Sequence, residues 1–224
     1  MTNLAKMAKQ FEDFAMAKPP GAVVEMPPFE APYSVVEGAL IGAYNVPAKA
    51  LGAFRGRLGH LQRRGLFGGR HRPGRGVALT YRPDQLHRLI FACEALEFGF
   101  SPALILDLVK TLWVRKEPHR GLRDIFQRAE QAAMIDPANG ENTGRDIIMH
   151  MGGVRLLTDP WSNAVPNVNS CELHRLPDHM AMWMRMMPDD PAGVPPRALV
   201  VNLSMRLRAF HAALAARNLG KPPT

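Results

Sequence analysis

The stretch GLFGGRHRPGRGVALTY, residues 65–81, sets the tightest limit on what this chain can fold into. It holds five glycines, three arginines and no acidic residue. Each glycine costs a helix about 1 kcal/mol relative to alanine, and Pro73 lacks a backbone donor, so no helix runs through it. Both flanks do follow a helical period. Upstream, from Pro47, the residues Leu51, Phe54, Leu58 and Leu61 share one face, and Gly65 is placed to end that helix. Downstream, Pro83 and Asp84 open a helix with apolar positions Leu86, Leu89, Ile90, Cys93 and Leu96, closed by Gly99. The chain therefore leaves one helix, makes an excursion and returns into another. Gly68, Gly69, Gly74 and Gly76 permit the positive φ that a β-hairpin turn needs. The upstream helix also carries Gly52, Gly56 and Gly59, so a break near Gly52 is an alternative register.

Charge is concentrated in the same region. Lys49, Arg55, Arg57, Arg63, Arg64, Arg70, Arg72, Arg75, Arg82 and Arg88 are opposed by Asp84 alone, which accounts for the net +8 of the 224-residue chain. A confined excess is the footprint expected for a polyanion, whereas an evenly spread one reports mainly solubility. On the upstream helix Lys49, Arg57, His60, Arg63 and Arg64 fall opposite the apolar face, with Arg55 beside them. These are the candidates to enter or flank a DNA major groove. Arg70, Arg72, Arg75 and Arg82 are the candidates for phosphate, since the planar guanidinium pairs bidentately with phosphate oxygens. A merely solvated charged face, an RNA target and an architectural binder without sequence preference are the alternatives.

A basic helix end, a glycine-rich excursion and a return through VALTY read as a winged helix-turn-helix. The run RGVALTYRPDQLHRLIFACEALEFGFSPALILDLV, residues 75–109, preceded by LGHLQRRGLF, residues 58–67, resembles the DNA-binding domain of MerR-type transcription regulators. Tyr81, Asp84 with Leu86, Gly99 and Ser101 match the family's tyrosine after the wing, its acidic-leucine pair, its closing glycine and its helix-opening serine. The resemblance covers roughly residues 47–112. It implies double-stranded DNA as partner, a recognition helix in the major groove and an arginine-bearing wing on phosphates. Gly59 and His60 replace the family's arginine-aromatic pair, and the long dimerisation helix that usually follows is absent, since 122–134 is short.

The expected class is α+β, in four segments. Residues 1–33 form a helical arm and proline-rich linker, 34–113 the mainly helical winged domain, 114–144 a hinge and connecting helix, and 145–224 a small α+β C-terminal domain. Ser34 and Glu37 make a capping box in front of Val36, Ala39, Leu40 and Ala43, and Ser101 with Pro102 caps a helix that buries Leu104, Ile105, Leu108, Val109 and Leu112. Residues 122–134 read as a helix and 136–144 as a loop, while VRLLT, SCELHRL, HMAMWMRMM and RALVVN read as strands. A last helix carries Leu203, Leu207, Phe210 and Leu214 on one side. The C-terminal domain is assigned to dimerisation, ligand sensing or contact with RNA polymerase, and its apolar strands favour a homodimer.

Other chemistry finds less support. Met180, Met182, Met184 and Met186 at period two would put four thioethers on one strand face. Cu(I) binding with Cys171, His174 and His179 is one reading, and a methionine-lined core or contact surface is the favoured one. Met149, His150 and Met151 are read as packing residues. No nucleophile elbow, phosphate-binding loop, zinc protease or dinucleotide fingerprint occurs, so neither an enzyme nor a cofactor or metal site is expected. Cys171 with His174 or His179 is the best nucleophile-base candidate, and such pairs occur freely by chance. Cys93 and Cys171 are expected to be thiols, and without a long apolar run or a signal-peptide core the chain is expected in the cytoplasm, away from membranes.

Overall fold

Pro32, extended at φ −61° and ψ 152°, ends a two-residue strand β1 (Ala31–Pro32) and starts helix α1 (Tyr33–Ala43). The structure is a computed structural model that describes residues 31–68, 80–114, 121–134, 145–152, 167–186 and 198–219. Because α1 begins one residue before Ser34, the expected capping box does not form. Glu37 instead accepts from Arg55 Nε at 2.6 Å and from the Tyr33 hydroxyl. The helix stops at Asn45, whose φ of 47° is left-handed, a conformation that asparagine tolerates better than most side chains. A single 3-10 turn (Ala48–Ala50) after Pro47 then runs directly into α2 (Leu51–Arg63). Of the two registers, the continuous one holds from Leu51: the helix type changes there, and α2 continues through all three glycines.

Gly65, at φ 99°, ends α2 as expected, and the Leu66 N–H reaches back to the Leu61 carbonyl at 3.1 Å. The chain re-enters the described residues as β2 (Thr80–Tyr81), antiparallel to β1 with Ala31 opposite Tyr81. Next come α3 (Pro83–Glu97), Gly99 at φ 83°, and α4 (Pro102–Leu112), where Ser101 Oγ accepts from the Leu104 N–H at 3.2 Å. Buried side chains run almost all round α3, from Leu86 to Ala95, so it is the central helix. Helix α5 (Leu122–Met134) has the expected bounds.

The C-terminal half contains a three-stranded antiparallel sheet of β3 (Ile147–Gly152), β4 (Asn167–Glu172) and β5 (Ala198–Asn202), in the order β4-β3-β5. The central strand β3 was not among the expected strands. Ile147, Met149 and Met151 on one face join the main core, while Ile148 and His150 point to the other face and are also buried. A strand covered on both faces is a continuous apolar run without alternation. Residues 179–187, expected as a strand, lie largely in helix α6 (Leu176–Met186), which follows a 3-10 turn at Leu173–Arg175. A helix rotates every second residue by about 200°, so the period-two methionines do not share one face. Helix α7 (Leu203–Leu219) buries Leu203, Leu207, Phe210 and Leu214, the four positions expected. The protein is thus α+β and mostly helical. Residues 1–30, 69–79, 115–120 and 136–144, the VRLLT segment 154–158 and the turn 188–196 lie outside the described residues.

One apolar core runs through both of the units expected at 34–113 and 145–224, including Leu40, Leu61, Ile90, Phe126, Met149 and Phe210. Helix α7 crosses α1 closely enough that a Cβ on Gly42 would sit 3.1 Å from that of Ala213, and the Arg217 guanidinium occupies the space beside Gly38. Arg206 of α7 clasps the end of α1. Its Nη1 donates to the Ala43 carbonyl at 2.9 Å, its Nε meets Glu94 of α3 at 2.5 Å, and its guanidinium lies 4.3 Å from the Tyr44 ring centre. Glu130 of α5 receives His211 of α7 at 2.6 Å and faces His87 of α3 at 3.5 Å. Burial pushes the Glu130 carboxyl upward, but the hydrogen bond from His211 and the approach of His87 outweigh it and leave it at about 2.

Candidate nucleic-acid interface

Helix α2 is held to the molecule by few side chains. Leu58 and Leu61 are its only buried residues, with Leu51 and Phe54 half-buried beside them. The opposite side carries Gly52, Gly56 and Gly59, which share a stripe at 100° per residue together with Arg63, and His60 borders it. A Cβ built on Gly52 or Gly56 would meet nothing within 4 Å. Packing therefore does not call for glycine at either position, and each lowers helix stability by about 1 kcal/mol relative to alanine.

Basic side chains surround this bare stripe. Lys49, Arg57, His60, Arg63 and Arg64 are exposed and carry no ion pair among the described residues. Arg55 is exposed on the same helix but is bound to Glu37, so its charge is partly neutralised and it is tied to α1. Arg82 is exposed at the residue before α3, where its backbone N–H donates to Gln85 Oε1 at 3.0 Å. Arg70, Arg72 and Arg75 lie outside the described residues.

The points where the glycine-arginine excursion leaves and returns are fixed by a cluster that the sequence did not disclose. Tyr81 is buried; its hydroxyl accepts from Gln62 Nε2 at 2.7 Å, and its ring meets Phe67 edge-on at 5.5 Å and Tyr33 at 6.0 Å. Burial pushes the Tyr81 hydroxyl well above the usual tyrosine range, so it stays protonated. Leu66 is fully buried, and its carbonyl accepts from Arg88 Nη1 at 3.2 Å. Gln62 on the last turn of α2 thus ties that helix to strand β2. Its only trace in the sequence is a neutral amide within a run of basic residues.

His150, His179 and Cys171 lie elsewhere, on the side of the sheet opposite the main core. His150 of β3 and His179 of α6 are fully buried with Nε2 atoms 2.5 Å apart, a hydrogen-bond contact between two rings. Burial first, and the neighbouring His179 second, pull His150 down from 6.5 to about 4, and burial lowers His179 as well, so both are neutral at pH 7. The Cys171 thiol is pushed up to about 11 by burial, which leaves it protonated and a poor nucleophile. His174 is half-exposed, with Nδ1 3.3 Å from Glu172. No three His, Cys, Asp or Glu side chains converge as a metal site among the described residues, and none of the described helices is long and apolar enough to cross a membrane. No protein-family model, curated protein or solved structure matches the chain.

Proposed function

We propose that this protein is a MerR-like, sequence-specific DNA-binding transcription regulator. In this reading α1, the Asn45 turn and α2 form the helix-turn-helix, α2 enters the major groove, and the excursion at 69–79 is an arginine-bearing wing on the flanking phosphates. The observation that carries the reading is the outer face of α2, a bare glycine stripe bordered by unpaired cations in the most basic part of the chain. Glycine at positions that packing leaves open lets a helix backbone approach a surface closely, and the unpaired cations supply the phosphate attraction that dominates affinity for DNA. The left-handed residue in the turn and the β1–β2 pairing at the wing's base suit the same motif. Cytoplasmic placement, a homodimer on a two-fold operator and a contact with RNA polymerase belong to this proposal.

The test is genome-wide recovery of DNA crosslinked to the tagged protein, followed by binding of the recovered fragments in vitro across a salt series. Sharp peaks sharing a motif, and competition by specific duplex far stronger than by random duplex, are the expected results. Broad recovery with equal competition by both duplexes would replace the regulator with an architectural binder. Absence of DNA binding would remove the proposal altogether.

A further inference from the structure

A cleft of about 540 Å³ opens between the end of α2 and helix α4, next to the point where the excursion leaves. That volume lies in the range that accommodates small organic ligands. Gly65 and Gly68, at φ 99° and 76°, contribute a rim without side chains, while Leu106 and Val109 of α4 line it with apolar surface. Three cations surround it, Arg64, Arg88 and Lys110, against the single carboxylate of Asp107.

Arg88 is the fixed element. Its Nε donates to Asp84 Oδ2 at 3.0 Å, its Nη1 donates to the Leu66 carbonyl, and its guanidinium lies 4.9 Å from the centre of the Trp113 ring. Trp113 Nε1 in turn donates to the other Asp84 oxygen at 2.8 Å. These contacts use two of the five guanidinium N–H bonds and leave the others for an acceptor. Arg64 and Lys110 are exposed and have no partner among the described residues, so they can swing onto a bound anion. A held guanidinium flanked by two free cations and backed by apolar surface is complementary to an anionic group attached to an apolar body.

We propose that this cleft binds a small organic anion of that kind, a carboxylate, sulfonate or phosphate ester with an apolar portion. Arg64 and the root of the excursion belong to both the cleft and the DNA-facing surface. Occupancy therefore alters DNA affinity, a consequence that rests on the DNA-binding reading, whereas the ligand site itself does not. By thermodynamic reciprocity DNA would alter ligand affinity by the same factor.

The experiment is calorimetric titration of the full chain, without DNA, using naphthalenesulfonate as the probe. The expected result is saturable one-to-one binding, weakened about tenfold by Lys110→Glu and tightened about threefold by Asp107→Asn. Both positions are exposed on α4, and unchanged thermal midpoints would show that the variants are folded. Opposite responses to the two substitutions are not expected of a nonspecific apolar contact. Absence of saturable binding, or binding indifferent to both substitutions, would overturn the proposal. Probe binding with the expected responses in a protein that binds no DNA would uphold the cleft while removing the regulator. Lost probe binding together with DNA affinity that falls on Lys110→Glu would make the cleft part of the DNA surface and overturn the ligand site.

Discussion

Replacing Gly56 with alanine separates what the fold needs from what the proposed function needs. Gly56 lies mid-way along α2, and a Cβ there meets nothing within 4 Å, so the substitution adds no clash. Alanine is favoured over glycine in a helix interior by about 0.8–1 kcal/mol, chiefly because it loses less backbone entropy on folding. For a chain of this size that corresponds to a rise in Tm of roughly 2–4 °C. Gly52→Ala, in the first turn, adds a smaller increment of the same sign. Urea unfolding and calorimetry measure both. DNA binding should move the other way, since a methyl on the face of closest approach forces the helix outward, at about 1–3 kcal/mol if overpacking in a core is a guide. A variant that melts lower than the parent would refute the assignment of Gly56 to an open helical face. One that melts higher and binds DNA with unchanged affinity would refute the placement of this face against the duplex.

Arg206→Ala should destabilise the fold by about 2–3 kcal/mol in urea titrations, because the Glu94 carboxylate stays buried with Tyr44 alone and the Ala43 carbonyl loses its cap. Acid should weaken the fold in two windows. His150 is held neutral with its folded value at about 4, so the stability it confers is complete above pH 6.5 and is lost as pH falls toward 4. Glu130, held at about 2, contributes stability that is complete above the ordinary carboxylate range and disappears only below it. Urea midpoints followed from pH 8 to 3 should therefore fall in the upper window for the parent and fall less there for His150→Gln. Replacing Arg70, Arg72 and Arg75 with alanine should weaken binding to all duplexes and flatten the salt dependence by up to about three units of slope. An unchanged slope would detach the excursion from phosphate.

Segments that combine a helical period with a start or stop residue were readable before any coordinates. Residues 122–134, the run from Leu203 to Leu214 and the Ser101 cap show this, because amphipathic spacing and capping are local properties. Two signals misled. The Met-x-Met spacing imitates strand alternation, although Pro177 and Asp178 in the first turn of α6 marked a helix start. Strand β3 is buried on both faces, so its sequence IIMHMG offers no polar alternation to recognise. For the candidate interface, the sequence disclosed the cations and their common face on α2. It did not disclose the pairing of Arg55 with Glu37 or the open space over Gly52 and Gly56, which depend on how α1 lies against α2. The Gln62–Tyr81 and Arg88–Leu66 ties are likewise long-range contacts that no local pattern encodes.

The clasp between Arg206 and the end of α1 joins residues 163 positions apart. At translation rates of about 5–20 residues per second, a ribosome that has made Ala43 works for roughly ten to thirty seconds before the other half of that contact exists. During that interval Gly38 and Gly42 of α1 lack the helix whose Arg217 and Ala213 pack against them in the finished protein. The packing of α1 therefore waits for the synthesis of α7, and contacts of such long range slow folding. A message cut short before α7 yields a chain whose α1 has no lid, a substrate for chaperones and proteases that should not accumulate as a working fragment.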